Sequence, residues 1–340
     1  MSLPSRLASV RSSLVLVPAA LAILLLAGWN RASLQAAAVP NAPGLMRSAG
    51  IVFSHQGRVR TAELVVPTGS PPVTGWPVVL LLHGAGGSGH QLLEKGGWQA
   101  VATREHFAIL AADGTPKHEG RRAAFIGNPR TWNSGTGSGL SMTDGSAVSK
   151  DIDDVGYLVA LLDSAATRAR LDTRRVYVAG HSNGAGMSYR FAAERPERVA
   201  AVGVMAGHLF AQARQTLPTP VPLLQIIGDQ DPLMPMAGGR VTLGRATATL
   251  APALESPIRW ATMLGIQDTA RVVRDDSVTV RQWGDVKSNA VVMSYVVKGH
   301  GHGWLWPNAD QLPESVIGPR RDALNATETM WAFFAAHVRD

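Results

Sequence analysis

The chain of 340 residues contains no cysteine. This absence excludes disulfide bonds, thiolate metal sites, a cysteine nucleophile and a lipid-modified N-terminal cysteine. Charged residues are also few, at 17% of the chain, whereas hydrophobic residues make up 46%. Such a balance supplies a large apolar core and excludes a disordered or fibrous protein. We therefore expect a globular protein whose core is stable without covalent cross-links.

Long runs of basic residues are absent as well, although 32 basic and 25 acidic residues leave a net charge of +7. Three of these charges belong to Arg6, Arg11 and Arg31, and the first 38 residues contain no acidic residue. The rest of the chain carries only +4 (7 − 3), without a run of Lys or Arg. This distribution predicts no nucleic-acid partner.

The N-terminal segment has the three-part pattern of a secretory signal peptide. Arg6 and Arg11 precede an uncharged stretch at 13–29, SLVLVPAALAILLLAGW, and Ala36-Ala37-Ala38 offers a cleavage site. We predict a signal peptide over 1–38 and a secreted protein, extracellular or periplasmic. The alternative is an uncleaved membrane anchor at 13–29, because an apolar run of about 17 residues is near the minimum for a membrane span.

Residues 39–340 are predicted to form a single α/β domain. Residues 51–66 alternate in character on both sides of Gly57, which predicts an antiparallel pair of strands. Apolar runs predict further strands at 78–83, 107–113, 175–180, 199–207, 222–228, 277–283 and 290–299. Helices are predicted at 91–104, 152–168, 184–194, 252–264 and 322–338, and the acidic residues at 151, 153 and 154 are interpreted as partners of a helix dipole. Strands that alternate with helices predict a mainly parallel sheet with helices on both faces.

The candidate nucleophile is Ser182, in the motif Gly180-His181-Ser182-Asn183-Gly184. An apolar strand precedes the motif and a helix follows it, which is the context of a nucleophile elbow. Because a side chain on either side would collide with the neighbouring elements, a sharp strand-to-helix turn needs small residues there.

A serine nucleophile needs a base, and on this fold the order along the chain is Ser, acid, His. Asp229 and Asp231 directly follow the predicted strand 222–228, and Asp231 is favoured, with Asp229 as the alternative. His300 and His302 lie among glycines after the last predicted strand, and His302 is favoured over His300. His300-x-His302 also has the form of a metal-binding pair, but no third ligand stands at a fitting spacing, so we predict no metal.

The loop HGAGGSG at 83–89 has two interpretations. Gly84, Gly86 and Gly89 form G-x-G-x-x-G, which with Asp113 at the end of the next strand is a passable dinucleotide fingerprint and would make the chain an NAD-binding protein. Alternatively the loop supplies a backbone N–H to an oxyanion hole, whose donors would be the amides of Ala85 and Asn183. The second interpretation is favoured because it also accounts for Ser182, and it requires no cofactor.

Taken together, the chain resembles the secreted α/β-hydrolase esterases that include poly(3-hydroxybutyrate) depolymerase-like and feruloyl or acetyl-xylan esterase-like proteins. The stretches that carry the resemblance are LLHGAGGSG (81–89), RTWNSGTG (130–137), DDVGYLVALLD (153–163), the region 174–207, GDQDPLMP (228–235) and GHGHGWLWP (299–307). The resemblance implies an α/β-hydrolase fold with Ser182 as nucleophile, Asp231 as acid and His302 as base, the last placed by the His-x-Trp pattern with Trp304.

The implied activity is hydrolysis of carboxylic esters of the short-chain hydroxyacyl, feruloyl or acetyl type, with a small or oligomeric ester as the partner. A serine peptidase on the same fold is the alternative. Trp132, Trp304 and Trp306 are predicted to form apolar walls for the acyl or aryl group, with a role as core or loop anchors as the alternative. No polymer-binding domain is seen after the hydrolase region, which favours soluble oligomers or small esters over crystalline polymer.

Overall fold

The computed structural model describes residues 46–135, 146–210, 215–243, 246–307, 309 and 312–339. Its strands are β1 (Met46–His55), β2 (Arg58–Pro67), β3 (Trp76–Leu82), β4 (Ala108–Ala112), β5 (Thr115–Pro116), β6 (Arg130–Thr131), β7 (Leu171–His181), β8 (Ala201–Met205), β9 (Leu223–Gly228), β10 (Gly239–Leu243), β11 (Ala246–Leu250), β12 (Arg271–Arg274), β13 (Val278–Gly284) and β14 (Val291–Val297). Its helices are α1 (Gly89–Lys95), α2 (Trp98–Glu105), α3 (Asp154–Ala166), α4 (Asn183–Glu194), α5 (Glu255–Met263), α6 (Glu314–Ile317) and α7 (Ala326–Ala335).

Ten strands form one sheet in the order β1-β2-β4-β3-β7-β8-β9-β14-β13-β12. The six strands from β4 to β14 in this order run parallel, and antiparallel strands flank them on both sides. Every residue of β3, β4, β8 and β9 is buried, which explains why these strands appear in the sequence as continuous apolar runs. The predicted mainly parallel sheet is confirmed.

Helices cover both faces of this sheet. In β8, Val202 and Val204 belong to the core cluster that contains residues of α4, whereas Gly203 between them faces Met330 and Phe334 of α7. Since successive side chains of a strand point to opposite faces, α4 and α7 lie on opposite sides of the sheet. This two-sided cover is the arrangement predicted from the alternation of strands and helices.

The predicted antiparallel pair around Gly57 is confirmed as β1 and β2, joined by Gln56 and Gly57, both with positive φ. The single helix predicted at 91–104 is wrong. Gly96 and Gly97 separate α1 from α2, and Gly97 has φ +73, a value outside the helical region. The hairpin of β10 and β11 and the strand β12 were not predicted.

The predicted signal peptide or anchor at 1–38 lies outside the described residues, so both alternatives stay predictions. Among the residues that the structure describes, no helix has the length and apolar character needed to cross a membrane.

Candidate active site

Ser182 occupies the turn between β7 and α4 in a strained backbone conformation. Its φ of 54° and ψ of −118° place a non-glycine residue at positive φ, which costs free energy and persists only where the surroundings impose it. The backbone N–H of Ser182 donates to the Met205 carbonyl at 2.9 Å, which ties the turn to the end of β8. Ser182 is therefore held at the carboxyl end of the parallel strands with the N-terminus of α4 directly behind it.

The glycines on both sides of Ser182 are sterically required. A Cβ at Gly180 would overlap the Gly184 carbonyl oxygen and the Ser188 hydroxyl, and one at Gly184 would overlap the Leu82 carbonyl oxygen. The two carbonyl oxygens are backbone atoms, which have little freedom to move aside. The Gly-x-Ser-x-Gly spacing thus lets α4 pack directly against the end of β3.

His302 and Asp231 form a buried hydrogen-bonded pair. His302 Nδ1 lies 2.8 Å from Asp231 Oδ2, and both side chains are almost fully buried. Asp231 Oδ1 accepts from the amides of Leu233 and Met234, each at 2.8 Å. Although burial alone raises the pKa of the Asp231 carboxyl, the His302 ring and the two amides lower it overall. An ionised carboxylate only accepts hydrogen bonds, so Nδ1 of His302 donates to Asp231, and in the neutral form of the ring Nε2 is then the acceptor.

The two alternative residues have other roles in the structure. Asp229 Oδ1 accepts from the Gly299 amide at 2.6 Å and so fixes the turn after β14. His300 is buried, donates from Nε2 to the Gly303 carbonyl at 2.8 Å and accepts at Nδ1 from the Arg321 amide at 3.1 Å. Burial lowers the pKa of His300, so its ring is neutral and both nitrogens are engaged. These contacts distinguish Asp231 and His302 from their neighbours.

Ser182 and His302 line the same cavity, which has a volume of about 710 Å³. This volume lies within the range typical of small-molecule sites. Among the described residues, no hydrogen bond joins the Ser182 hydroxyl to the His302 ring. The cavity wall is largely apolar and is drawn from distant segments, with large side chains from Phe125, Leu233, Leu243, Trp304, Leu312, Val316 and Ile317.

The glycine loop after β3 forms the side of the cavity next to Ser182. A Cβ at Gly84 would lie 3.3 Å from Ser182 Cβ, so the loop passes in direct contact with the candidate nucleophile. Ala85 lines the cavity, and Asn183 begins α4 beside it. Within the described part of the chain, neither the Ala85 amide nor the Asn183 amide donates a hydrogen bond to a protein acceptor.

Asp113, the acidic residue of the dinucleotide alternative, is engaged by the protein itself. Its carboxylate accepts from the Gly89 amide at 2.9 Å and from the Thr61 hydroxyl at 2.7 Å, and Arg130 lies 3.5 Å away. Asp113 therefore fixes the far end of the glycine loop.

The three tryptophans take different positions. Trp304 lines the cavity and stacks edge-on against His181, with ring centroids 5.8 Å apart. Trp132 is fully buried beneath the site, so its predicted role as a cavity wall does not fit and the alternative role of core anchor does. Trp306 covers Gly97 at the start of α2 and faces a separate surface depression.

Sequence reasoning missed the buried ion pair of Asp154 and Arg60. Arg60 Nη2 lies 2.7 Å from Asp154 Oδ1, and Arg60 also lies over the Tyr157 ring at 3.6 Å. Asp154 Oδ2 accepts from the Asn133 amide at 2.7 Å. Of the acidic residues interpreted as dipole partners, Asp153 does cap α3 through the Gly156 amide, but Asp154 anchors the segment that contains Trp132. No local pattern signals this long-range pairing.

Within the described ranges, no group of three or more His, Asp or Glu side chains is arranged to hold a metal ion.

Comparison with solved structures shows the fold. An acetyl xylan esterase from Aspergillus awamori is 14% identical, covers 81% of this chain and 94% of its own, and superposes with a TM-score of 0.51. A dienelactone hydrolase-like promiscuous phosphotriesterase from metagenomic libraries is also 14% identical. The alignment covers 86% of this chain and 99% of the phosphotriesterase, with a TM-score of 0.55. At such identities the likeness concerns the fold alone, and the predicted α/β-hydrolase fold is confirmed.

Comparison of sequences shows similarity to esterases over about half of the chain. The curated protein "Putative esterase NocK" of Nocardia uniformis subsp. tsuyamanensis is 33% identical over 185 residues, which are 54% of this chain and 48% of the relative. The chain thus aligns with about half the length of this relative. Residues 61–222 match the family model described as Esterase PHB depolymerase, so the resemblance to poly(3-hydroxybutyrate) depolymerase-like esterases that was predicted from the sequence is confirmed.

Proposed function

We propose that this protein is a serine esterase that hydrolyses carboxylic esters through Ser182, His302 and Asp231. The observation that carries the proposal is the buried His302–Asp231 pair, 2.8 Å long, on the same cavity as a serine held at positive φ. Each part has a counterpart in the chemistry of acyl transfer, which needs a nucleophile, a base and a group that orients the base.

In the proposed acylation step, the Ser182 hydroxyl attacks the ester carbonyl carbon while His302 Nε2 takes its proton. Nε2 is able to do so because Nδ1 carries the other ring proton and donates it to Asp231. Asp231 stabilises the imidazolium that forms. The contact between the Ser182 hydroxyl and Nε2 is expected to close when substrate binds, since catalytic hydrogen bonds are often loose in unliganded enzymes.

The negative charge on the carbonyl oxygen is stabilised by the amides of Ala85 and Asn183 and by the N-terminus of α4. The alcohol leaves with the proton from His302, and a water activated by the same ring then hydrolyses the acyl-enzyme. The cycle regenerates Ser182 and requires no cofactor.

The proposed substrates are esters with a short hydroxyacyl, feruloyl or acetyl group. Support comes from the family match, from an acetyl xylan esterase of the same fold and from the apolar wall of the cavity. We further propose that the protein is secreted, on the basis of the N-terminal sequence pattern at 1–38.

The test uses a short-chain p-nitrophenyl ester and a fluorophosphonate probe. Wild-type protein is expected to hydrolyse the ester and to carry one label, on Ser182, whereas Ser182→Ala loses at least about a thousandfold in kcat and takes no label. Ser188→Ala is the matched control, since Ser188 lies in α4, the helix that follows Ser182, and its hydroxyl donates to the Gly184 carbonyl. Unchanged turnover in Ser182→Ala would end the proposal, and faster cleavage of matched amides than of esters would favour a peptidase.

A further inference from the structure

Trp132 connects the two segments that carry the proposed oxyanion donors. Its backbone N–H donates to Asn183 Oδ1 at 2.7 Å, and its backbone carbonyl accepts from Asn183 Nδ2 at 3.1 Å. Its indole Nε1 donates to the His83 carbonyl at 2.9 Å. One fully buried residue thus binds the residue that follows Ser182 on one side and the start of the glycine loop on the other.

The orientation of the Ala85 amide depends on this same loop. The Gly84 carbonyl, which shares a peptide plane with the Ala85 N–H, accepts from His83 Nδ1 at 2.7 Å and from the Gly87 amide at 3.1 Å. Because a trans peptide directs its C=O and N–H to opposite sides, holding the Gly84 carbonyl also holds the direction of the Ala85 N–H. The His83 ring is fixed in turn by the Gly114 amide, which donates to Nε2 at 2.9 Å, and by contact with the Trp132 ring.

We propose that Trp132 is a positioning residue that fixes the distance between the Ala85 and Asn183 amides and thereby presets the oxyanion hole. This inference rests on the proposed function and deepens it. Two donors on separate segments stabilise an oxyanion only if both point at one place before the reaction, since moving them during the reaction costs the benefit of preorganisation. Trp132 joins the two segments through its indole hydrogen bond to the His83 carbonyl and its backbone hydrogen bonds to Asn183, and it does not line the cavity.

The test is Trp132→Phe, which keeps an aromatic ring and both backbone hydrogen bonds to Asn183 but removes the donor to the His83 carbonyl. We expect kcat to fall about tenfold to a hundredfold, because small displacements of catalytic groups have effects of this size, while KM stays within about twofold. The affinity for a trifluoromethyl ketone, whose carbonyl adds Ser182 and becomes an oxyanion, should fall by the same factor.

Trp260→Phe is the matched control. The Trp260 indole is also fully buried and donates to a backbone carbonyl, that of Val221, at 2.8 Å. Both variants lose one indole hydrogen bond and similar ring area, so both should unfold at lower temperature, but only Trp132→Phe should lose kcat and ketone affinity. Should Trp132→Phe fail to fold, Asn183→Ala removes the other side of the connection, leaves the Asn183 amide in place and carries the same expectation.

Equal kcat and equal ketone affinity in the two tryptophan variants would overturn the inference while leaving the proposed function intact. A rise of KM in Trp132→Phe without a loss of kcat would also overturn the inference, because that result indicates weaker substrate binding. Wild-type protein without ester turnover or labelling at Ser182 would instead overturn the proposed function, and this inference with it.

Discussion

At the scale of single residues, the proton on the His302 ring decides whether the proposed mechanism can start. Asp231 Oδ1 is held by two backbone amides, which leaves Oδ2 facing His302 Nδ1. In Asp231→Asn the two amides would retain the amide oxygen, so the NH₂ group would face Nδ1. Nδ1 would then have to accept, the ring proton would move to Nε2, and His302 could no longer take the serine proton. We expect kcat for a p-nitrophenyl ester to fall by about 10³–10⁴.

Asp229→Asn provides the comparison for that change. It makes the same chemical substitution two residues earlier, and its amide oxygen can still accept from the Gly299 amide. We expect its kcat to stay within about threefold of wild type. Similar losses in both variants, measured with unchanged far-ultraviolet circular dichroism, would refute the assignment of Asp231 as the residue that orients the base.

At the scale of elements, the turn that carries Ser182 depends on how closely α4 approaches β3. In Gly184→Ala the added methyl group meets the Leu82 carbonyl oxygen, a backbone atom at the carboxyl end of β3, so α4 must move away. We expect the free energy of unfolding to fall by about 1–3 kcal/mol and kcat to fall with it, because Ser182 and Asn183 move with the helix. Urea unfolding and ester turnover measure the two effects.

Gly50→Ala is the control for this prediction. Nothing lies within 4 Å of a Cβ at Gly50, and its backbone is not at positive φ. We expect unfolding and turnover within error of wild type. If Gly184→Ala behaved like Gly50→Ala, the close approach of α4 to β3 would not be what limits this position to glycine.

The strands were predicted more accurately than the breaks between helices. Continuous apolar runs reveal buried parallel strands such as β3 and β9, because both of their faces are covered. The prediction of one helix over 91–104 does not account for Gly96-Gly97, a pair at which one helix ends and the next begins. The β10–β11 hairpin was missed although alternating residues stand on both sides of Gly244, because the pattern is short and lies in a polar stretch.

At the scale of the whole molecule, the topology explains which site residues the sequence could reveal. In a parallel sheet the carboxyl ends of the strands lie along one edge, so residues just after β3, β7, β9 and β14 are brought near each other. Ser182, Asp231, His302 and Ala85 all occupy such places. Trp132 follows the short strand β6, and its partners are known only once three distant segments are assembled, so no sequence spacing signalled its contact with Asn183.

Buried neutral histidines are a second property of the whole molecule, and they predict how its stability depends on pH. Burial lowers the pKa of His83, His181 and His208 from 6.5 to about 4, and lowers that of His300 and His337 as well. Below pH 6.5 the unfolded chain therefore binds protons that the folded protein does not. The exposed His90 acts in the opposite sense, because Glu63 raises its pKa.

The direction of the pH dependence follows from these pKa shifts. Stability from the buried histidines is fully present above pH 6.5 and is lost as the pH falls towards 4, by about 1.4 kcal/mol per pH unit for each of the three largest shifts. Asp231, with its lowered pKa, contributes a loss of stability only below its ordinary pKa of 3.8, so it does not affect the range between pH 7 and pH 5.

We expect urea unfolding to give a markedly smaller free energy of unfolding at pH 5 than at pH 7. His208→Asn removes one such group, whose ring lies 3.3 Å from the Ser256 hydroxyl and packs beside the Phe210 ring, and should reduce the loss of stability between pH 7 and pH 5 by about 2 kcal/mol. Identical free energies of unfolding at the two pH values would contradict the lowered pKa values of the buried histidines as a group. A loss in His208→Asn equal to that of wild type would contradict the lowered pKa of His208 itself.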